Sequence, residues 1–262
     1  MTRILTIAGI VWKEMIRRKD VYVLLILLGA LLFVLVSLDI FGLGGLVTYV
    51  KDVGFLLAWV FAWILAVTVS CRELPQEEAQ GTIYSLLAKP ISRAELIAGK
   101  WLGTWSMVVV ATLVFYGVVV GLTAARGGQT GGTVLAQGVV LHSACLGVVA
   151  SIGILFSTRM NRDAATSLTY VLTAVSFLVL PRIPEFMAHE TGLRAGALLF
   201  LYNALPHFEV FDLRRRIVHN YSPADVRVFL GILGYGCLLT ALFLFWAWLA
   251  YRKKRFARGA LS

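Results

Sequence analysis

The chain has 262 residues, 59% of them hydrophobic and only 15% charged, with a mean hydropathy of +0.83. Soluble domains run at about 45–50% apolar and 25% charged, and so few charges cannot cover so much apolar surface in water. A soluble domain, a disordered chain, a collagen-like repeat and a disulfide scaffold are excluded, which leaves an integral membrane protein. The net charge of +10, from 24 Lys+Arg against 14 Asp+Glu, suits an anionic membrane surface better than nucleic acid. Cys71, Cys145 and Cys237 lie in or beside apolar runs and read as small core side chains.

Residues 1–20 form the first predicted element. Wound at about 3.6 residues per turn, Ile4, Leu5, Ala8, Val11, Trp12, Met15 and Ile16 share one face. Arg3, Thr6, Lys13, Glu14 and Arg17 share the other, and Ile7 and Ile10 stray from the pattern. This is a basic amphipathic helix suited to the cytoplasmic membrane interface, with Trp12, Lys13, Arg17 and Arg18 as its interfacial residues. Its basic residues extend to Lys19 with no small-residue cleavage pattern after the first apolar run, so it is not read as a cleaved signal peptide.

A membrane-spanning helix needs about 20 mostly apolar residues. Six stretches fit or nearly fit: 21–38, 53–71, 101–123, 134–157, 164–180 and 228–251. The expected fold is therefore an all-α integral membrane domain over 1–262 with six transmembrane helices. Asp20 and Asp39 bound the first, short span, and Asp163 and Arg182 the fifth. Trp59 and Trp63 lie one turn apart in the second span, where they contact either a dimer face or lipid. Gly117 and Gly121 are spaced for close packing of the third span on a neighbour. Residues 195–205 are too few to cross, and within the segment 181–227 they read as a re-entrant or interfacial half-helix. Behind them Arg214, Arg215 and Arg216 are expected to meet lipid phosphates or the nearby Glu209 and Asp212.

The basic residues orient the chain. With both termini and the 72–100 loop on one side, that side holds 16 of the 24 lysines and arginines. Both termini are thus expected in the cytoplasm and the 181–227 segment outside. The 72–100 loop is too polar to span and too patterned for a linker. Residues 76–87 are predicted as a short helix after Pro75, ended near Ala88 by Pro90. Ser92 is placed to cap the next helix, with Glu95 closing a capping box. The elbow displays Tyr84, Leu86, Leu87 and Ile91 inside a charged rim, a pattern that fits a protein partner or a lipid interface.

The run Glu78, Gly81, Thr82, Leu86, Leu87, Ala88, Lys89, Pro90, Ile91, Ser92, Arg93, Glu95, Leu96, Gly99, Lys100 closely resembles the cytoplasmic loop of type 2 ATP-binding-cassette (ABC) permeases. The layout of interfacial helix, six spans, loop after span two and basic tail resembles them as well. Tyr202, Asn203, Leu205, Pro206, His207, Phe208, Glu209, Phe211, Asp212 and Leu213 look like the segment before the last span in the subfamily of the nitrous-oxide-reductase maturation permease. The resemblance implies the permease subunit of an ATP-driven transporter, an exporter, in the plasma (inner) membrane. Two copies of an ABC ATP-binding subunit and a second permease copy or homologue would be its partners. The loop would be the coupling helix, with Glu78, Gly81, Thr82, Leu86, Leu87, Lys89, Pro90, Ile91 and Arg93 at the ATPase contact.

The chain has no GxxxxGK[ST] loop to cradle phosphates, so it is not expected to be an enzyme; ATP and magnesium would be bound by the partner ATPase. The histidines form no plausible metal set with the cysteines. None of the 14 carboxylates falls within the six apolar stretches, which disfavours an ion-driven transporter. An intramembrane hydrolase would need a serine from another span, such as Ser106, Ser151, Ser167 or Ser176, at His142. The other alternative is a membrane anchor or regulatory subunit that transports nothing. Tyr116, Gln137, His142 and Tyr170 are the candidate lining of a translocation path, or else polar joints between helices.

Overall fold

The computed structural model describes residues 2–37, 46–81, 91–187, 192–252 and 254, and these are helical with no strand among them. The long helices are α1 (Thr2–Arg18), α2 (Asp20–Ser37), α3 (Leu46–Ala79), α4 (Arg93–Ala125), α5 (Gly132–Ser157) and α6 (Arg162–Leu178). After them come the short α7 (Ile183–Met187), α8 (Leu193–Ala204) and α9 (Arg214–Val218), then α10 (Val226–Arg252). Five helices among the described residues are long and apolar enough to cross a membrane: Val47–Ala79, Arg93–Ala125, Gly132–Ser157, Arg162–Met187 and Val226–Arg252. The expected sixth span corresponds to α2, 18 residues that run up to the edge of the described chain.

The core is built from α3, α4 and α5. Phe55, Ala62, Val67, Val108, Phe115, Leu141 and Ile152 are buried in one cluster between them. Where α3 crosses α5, a side chain at Gly153 would strike Ser70 and Cys71, so only glycine admits this approach. α4 ends on Gly127, whose φ of +74° is open to glycine at little cost. Its N–H and that of Gly128 bond back to Ala124 and Thr123 carbonyls at 3.0 and 2.9 Å. Lys51 of α3 is buried and donates to the carbonyl of Gln129 in the loop that follows.

The expected cap of α4 forms as read: Glu95 N–H donates to Ser92 Oγ, and Ser92 N–H donates to the Glu95 carboxylate at 2.8 Å. α1 packs along α4, with a rotated face. Ile7, Ala8, Val11 and Met15 are buried, whereas Leu5 and Ile16 are exposed, so Ile7 belongs to the packed face and is no stray. The cause lies in the partner helix. Gly99 and Gly103 leave a groove in which Ile7 and Val11 sit, each Cβ only 2.8 Å from where a glycine Cβ would stand. Trp12 adds a hydrogen bond from Nε1 to Ser106 Oγ at 2.9 Å. By contrast nothing lies within 4 Å of a Cβ built at Gly117 or Gly121, so the close packing expected there is not made within the described chain.

One further expectation is corrected. No new helix begins after Pro75: α3 continues through it to Ala79. An internal proline removes a hydrogen bond and costs about 3 kcal/mol, but here ties on both sides of it hold the helix. Lys100 of α4 reaches Glu73 at 2.9 Å and Glu77 at 2.5 Å, one turn apart and flanking the proline. Gln76 donates to Glu14 at 2.9 Å, and the Arg72 guanidinium to Met15 Sδ. α3 ends at Gly81, in the left-handed region at φ +69°, whose N–H bonds the Glu78 carbonyl. The 181–227 segment divides into an outer and an inner part. No residue of α8 is buried, while Phe208, Phe211, Ile217 and Val218 are. The part that enters the bundle is thus 208–218, a wedge behind the predicted half-helix.

Candidate functional site

The wedge brings a charged pair into an aromatic setting. Arg214 donates from Nε and Nη2 to both oxygens of Asp212, at 2.7–3.1 Å, a bidentate pair of matched planar groups. Its guanidinium carbon lies 5.3 Å from the ring centroid of Trp59 and 5.9 Å from that of Phe177. A cation over aromatic faces is favoured most where water is excluded. Trp59 in turn stacks on His142 of α5, with centroids 4.8 Å apart and planes 6° apart. Tyr116 of α4 meets His142 Nδ1 through its hydroxyl at 3.2 Å, and Nε2 has no partner among the described residues. Helices α3, α4, α5 and α6 and the wedge therefore converge on one buried stack.

A cavity of about 220 Å³ adjoins the stack between α3, α5 and α6. Trp59, Trp63, Cys145, Thr173, Phe177, Phe208 and Arg214 are among its walls, which are otherwise aliphatic. Trp63 donates to Thr173 Oγ1 at 3.0 Å, and Tyr170 crosses the Trp63 ring edge-on with its hydroxyl 3.2 Å from Thr68. A site of this kind accommodates an apolar or aromatic body, with a single guanidinium, already paired, at one end. It offers no nucleophile–base pair: His142 meets Tyr116 and not a serine. No group of three or more potential metal ligands occurs among the described residues.

The four residues read as path lining separate into three places. Tyr116 and His142 meet in the stack, and Tyr170 stands beside the cavity. Gln137 is spent elsewhere, clamping the backbone of Ala224: its amide donates to the carbonyl at 3.1 Å and its oxygen accepts the N–H at 2.8 Å. Of the interfacial set, Lys13 and Arg17 are exposed, Trp12 is half-buried on Ser106, and Arg18 closes α1. Of the loop set, Thr82, Leu86, Leu87, Lys89 and Pro90 lie outside the described residues. Gly81 ends α3, and Ile91 is half-buried against the cluster of Ile7, Leu74, Leu96 and Ile97. Glu78 and Arg93 hold intramolecular partners: Glu78 pairs with Lys254 at 2.7 Å, and Arg93 donates to carbonyls at the end of α10.

From sequence Arg214 reads only as part of a triple, Asp212 as its companion and as part of the run before the last span, and Trp59 as facing a dimer partner or lipid. The signal that distinguishes them is the Asp-x-Arg spacing directly after buried phenylalanines. The model of the family described as "ABC-2 family transporter protein" matches residues 5–249. No curated protein matches the chain.

Proposed function

The chain belongs to the ABC-2 transporter family, and from that premise we propose that it is the permease subunit through which a partner ATPase drives a substrate across the plasma membrane, in the direction of export. One observation carries this reading. Helices α3 and α4 have 34 and 33 residues, about 50 Å each at 1.5 Å per residue, whereas the hydrocarbon is about 30 Å thick. Both overshoot their apolar parts at the same end, where α3 carries Arg72, Glu73, Glu77 and Glu78 and α4 carries Arg93, Glu95 and Lys100. The buried Lys100–Glu73–Glu77 cluster makes the two projections one unit. The described residues on either side of 82–90, Gly81 and Ile91, are thereby carried on a stiff stalk, and a partner that binds the loop can bear on it.

In this reading α2 is the sixth span, both termini and the stalk are cytoplasmic, and the substrate passes by the cavity beside Trp59 and His142. Two ATP-binding subunits hold the ATP and magnesium, and a second permease copy or homologue completes the pathway. The run from Tyr202 to Leu213 supports the subfamily of the nitrous-oxide-reductase maturation permease. Leu86, Leu87 and Ile91 supply the apolar contact, with Lys89 and Arg93 at its rim and Pro90 shaping it. Burying a leucine contributes roughly 1.5–3 kcal/mol. The chain, co-expressed with a candidate ATP-binding subunit, should purify with it in fixed stoichiometry. The Leu86→Asp/Leu87→Asp variant should insert normally and lose it; a full complement of ATPase on that variant would refute the contact.

A further inference from the structure

The last helix is fastened at its C-terminal end and within its first half to earlier parts of the chain. At its cytoplasmic end Arg93, the first residue of α4, donates to the carbonyls of Tyr251, Arg252 and Lys254 at 2.6, 2.9 and 3.0 Å. These lie where an α-helix runs out of internal partners for its carbonyls. Lys254 bonds both oxygens of Glu78 at 2.7 Å and the carbonyl of Thr158, at the end of α5, at 3.0 Å. Tyr251 is fully buried among Ile7, Leu74, Leu96 and Ile154. The end of α10 therefore grips both feet of the 82–90 segment, through Glu78 on α3 and Arg93 on α4.

Farther along, the same helix holds the wedge. Tyr235 accepts the His207 N–H on its hydroxyl at 3.0 Å and stacks on Phe211. Phe211 also fills the space where a Cβ at Gly236 would stand, 3.1 Å away. Between these attachments α10 lies along α5, with Leu239 and Phe243 half-buried against the core and Ala247 buried. Its outer face, with Leu230, Leu238, Leu242, Phe245 and Trp246, is exposed, so the helix can tilt over the surface of α5 while the buried contacts among α3, α4 and α5 stay closed.

We propose that α10 is the lever that carries movement of the stalk to the wedge over the cavity, and that Arg93 is the positioning residue that locks stalk to lever. The proposal rests on the reading that a partner bears on residues 82–90. A push on the stalk then cannot move α3 and α4 alone without breaking the charge-assisted bonds of Arg93 and Lys254. With those bonds intact α10 tilts, and Tyr235 and Gly236 carry Phe211 and the attached Asp212–Arg214 pair with them.

The test uses the complex with its ATP-binding subunits in nanodiscs, with Cys237→Ser removing the exposed native cysteine and Val210→Cys as reporter on the wedge. Trapping with ATP and vanadate should change the maleimide labelling rate at 210 by about fivefold or more, the scale of ordinary coupling between sites. In Arg93→Ala, measured on complexes that retain their ATPase, this response should disappear. Arg93→Lys, which keeps a cation and three donors, should restore it. An Arg93→Ala complex that responds like the parent overturns the lever. Hydrogen exchange on the permease alone supplies an arm independent of the ATPase. Arg93→Ala, or Glu78→Gln if the former does not fold, should weaken protection both at 248–252 and at 207–211. Loss confined to 248–252 makes Arg93 a local cap and overturns the proposal. Failure of the parent to bind any ATPase refutes the preceding reading instead, and leaves the exchange result to decide the lever.

Discussion

Trp59 and His142 lie face to face, 4.8 Å between ring centroids and 6° from parallel, although they come from different helices 83 positions apart in the chain. The contact fixes α3 to α5 at the level where Arg214 arrives from the wedge. A neutral imidazole suits this place, since its planar face stacks on the indole and one nitrogen remains for the Tyr116 hydroxyl.

The stack should therefore be sensitive to shape more than to polarity. Trp59→Ala should cost about 3–5 kcal/mol, as large-to-small changes at buried aromatic sites do. His142→Phe keeps a flat ring and strands only the Tyr116 hydroxyl, so its cost should be about 1–2 kcal/mol. Thermal unfolding in detergent, followed by circular dichroism, ranks the two. The reverse order would mean that the hydrogen bond and not the stack joins the helices.

The arginine triple should divide by surroundings. Arg214→Ala leaves the Asp212 carboxylate inside the bundle without its bidentate partner and should destabilise by about 2 kcal/mol, between exposed and fully buried pairs. Arg215 is exposed, and Arg215→Ala should fall within about 0.5 kcal/mol of the parent. Removing Asp212 together with Arg214 should cost less than the two single changes summed, the coupling a double-mutant cycle reads. Equal effects at 214 and 215 would contradict the wedge.

What the sequence made legible was whatever depends on local chemistry. Long apolar runs give the spans, and Ser92 with Glu95 gives a helix start, because their cause lies within a few residues. The all-helical class followed from composition. The positions that depend on distant partners were misplaced. Pro75 reads as a stop until Lys100, 25 positions later, is seen gripping Glu73 and Glu77 around it. Ile7 looks off-face until Gly99 and Gly103 define which side is packed. Arg214 reads as one of three surface cations, since nothing near it in sequence announces Trp59.

Those glycines furnish a third expectation. A methyl at Gly103 would stand 2.8 Å from Val11 Cβ and 2.9 Å from the Ala8 Cα. Gly103→Ala should lift α1 off α4 at a cost of about 1–3 kcal/mol, the usual penalty of overpacking. Gly117→Ala, with open space around it, should be neutral or slightly stabilising, because alanine is the better helix former. Trypsin cleavage after Arg17 or Lys19 reports the release of α1. Comparable cleavage in both variants would show that the glycine groove does not hold the helix.

Topology can be settled by cysteine labelling in a Cys237→Ser background, as Cys71 and Cys145 are buried. Ala79 and Gln129 are exposed at opposite ends of the bundle. An impermeant maleimide added to intact cells should label Gln129→Cys and not Ala79→Cys, and lysis should expose the second. Position 129 is a better reporter than Gly128, where a side chain would collide with Val47 and Thr123. Labelling of Ala79→Cys in intact cells would invert the orientation and remove the stalk from the cytoplasm.

The stalk itself depends on one ammonium serving two carboxylates. Lys100 and Glu73 are almost wholly shielded from solvent, and Glu77 nearly so. Removing one partner of a buried pair costs more than replacing the set, since the remaining charge must be desolvated alone. Lys100→Met should thus cost about 3–5 kcal/mol, and the kink latent at Pro75 should open once its flanking ties are gone. Lys100→Met/Glu73→Leu/Glu77→Met replaces all three by apolar groups of similar size and should recover much of that stability. The two variants separate stability from transmission. If the triple variant folds as well as the parent and still drives transport with its ATPase, the cluster serves only to hold α3 to α4. If it folds and binds the ATPase but no longer transports, the rigidity of charge-assisted bonds around Pro75 is itself what the stalk requires.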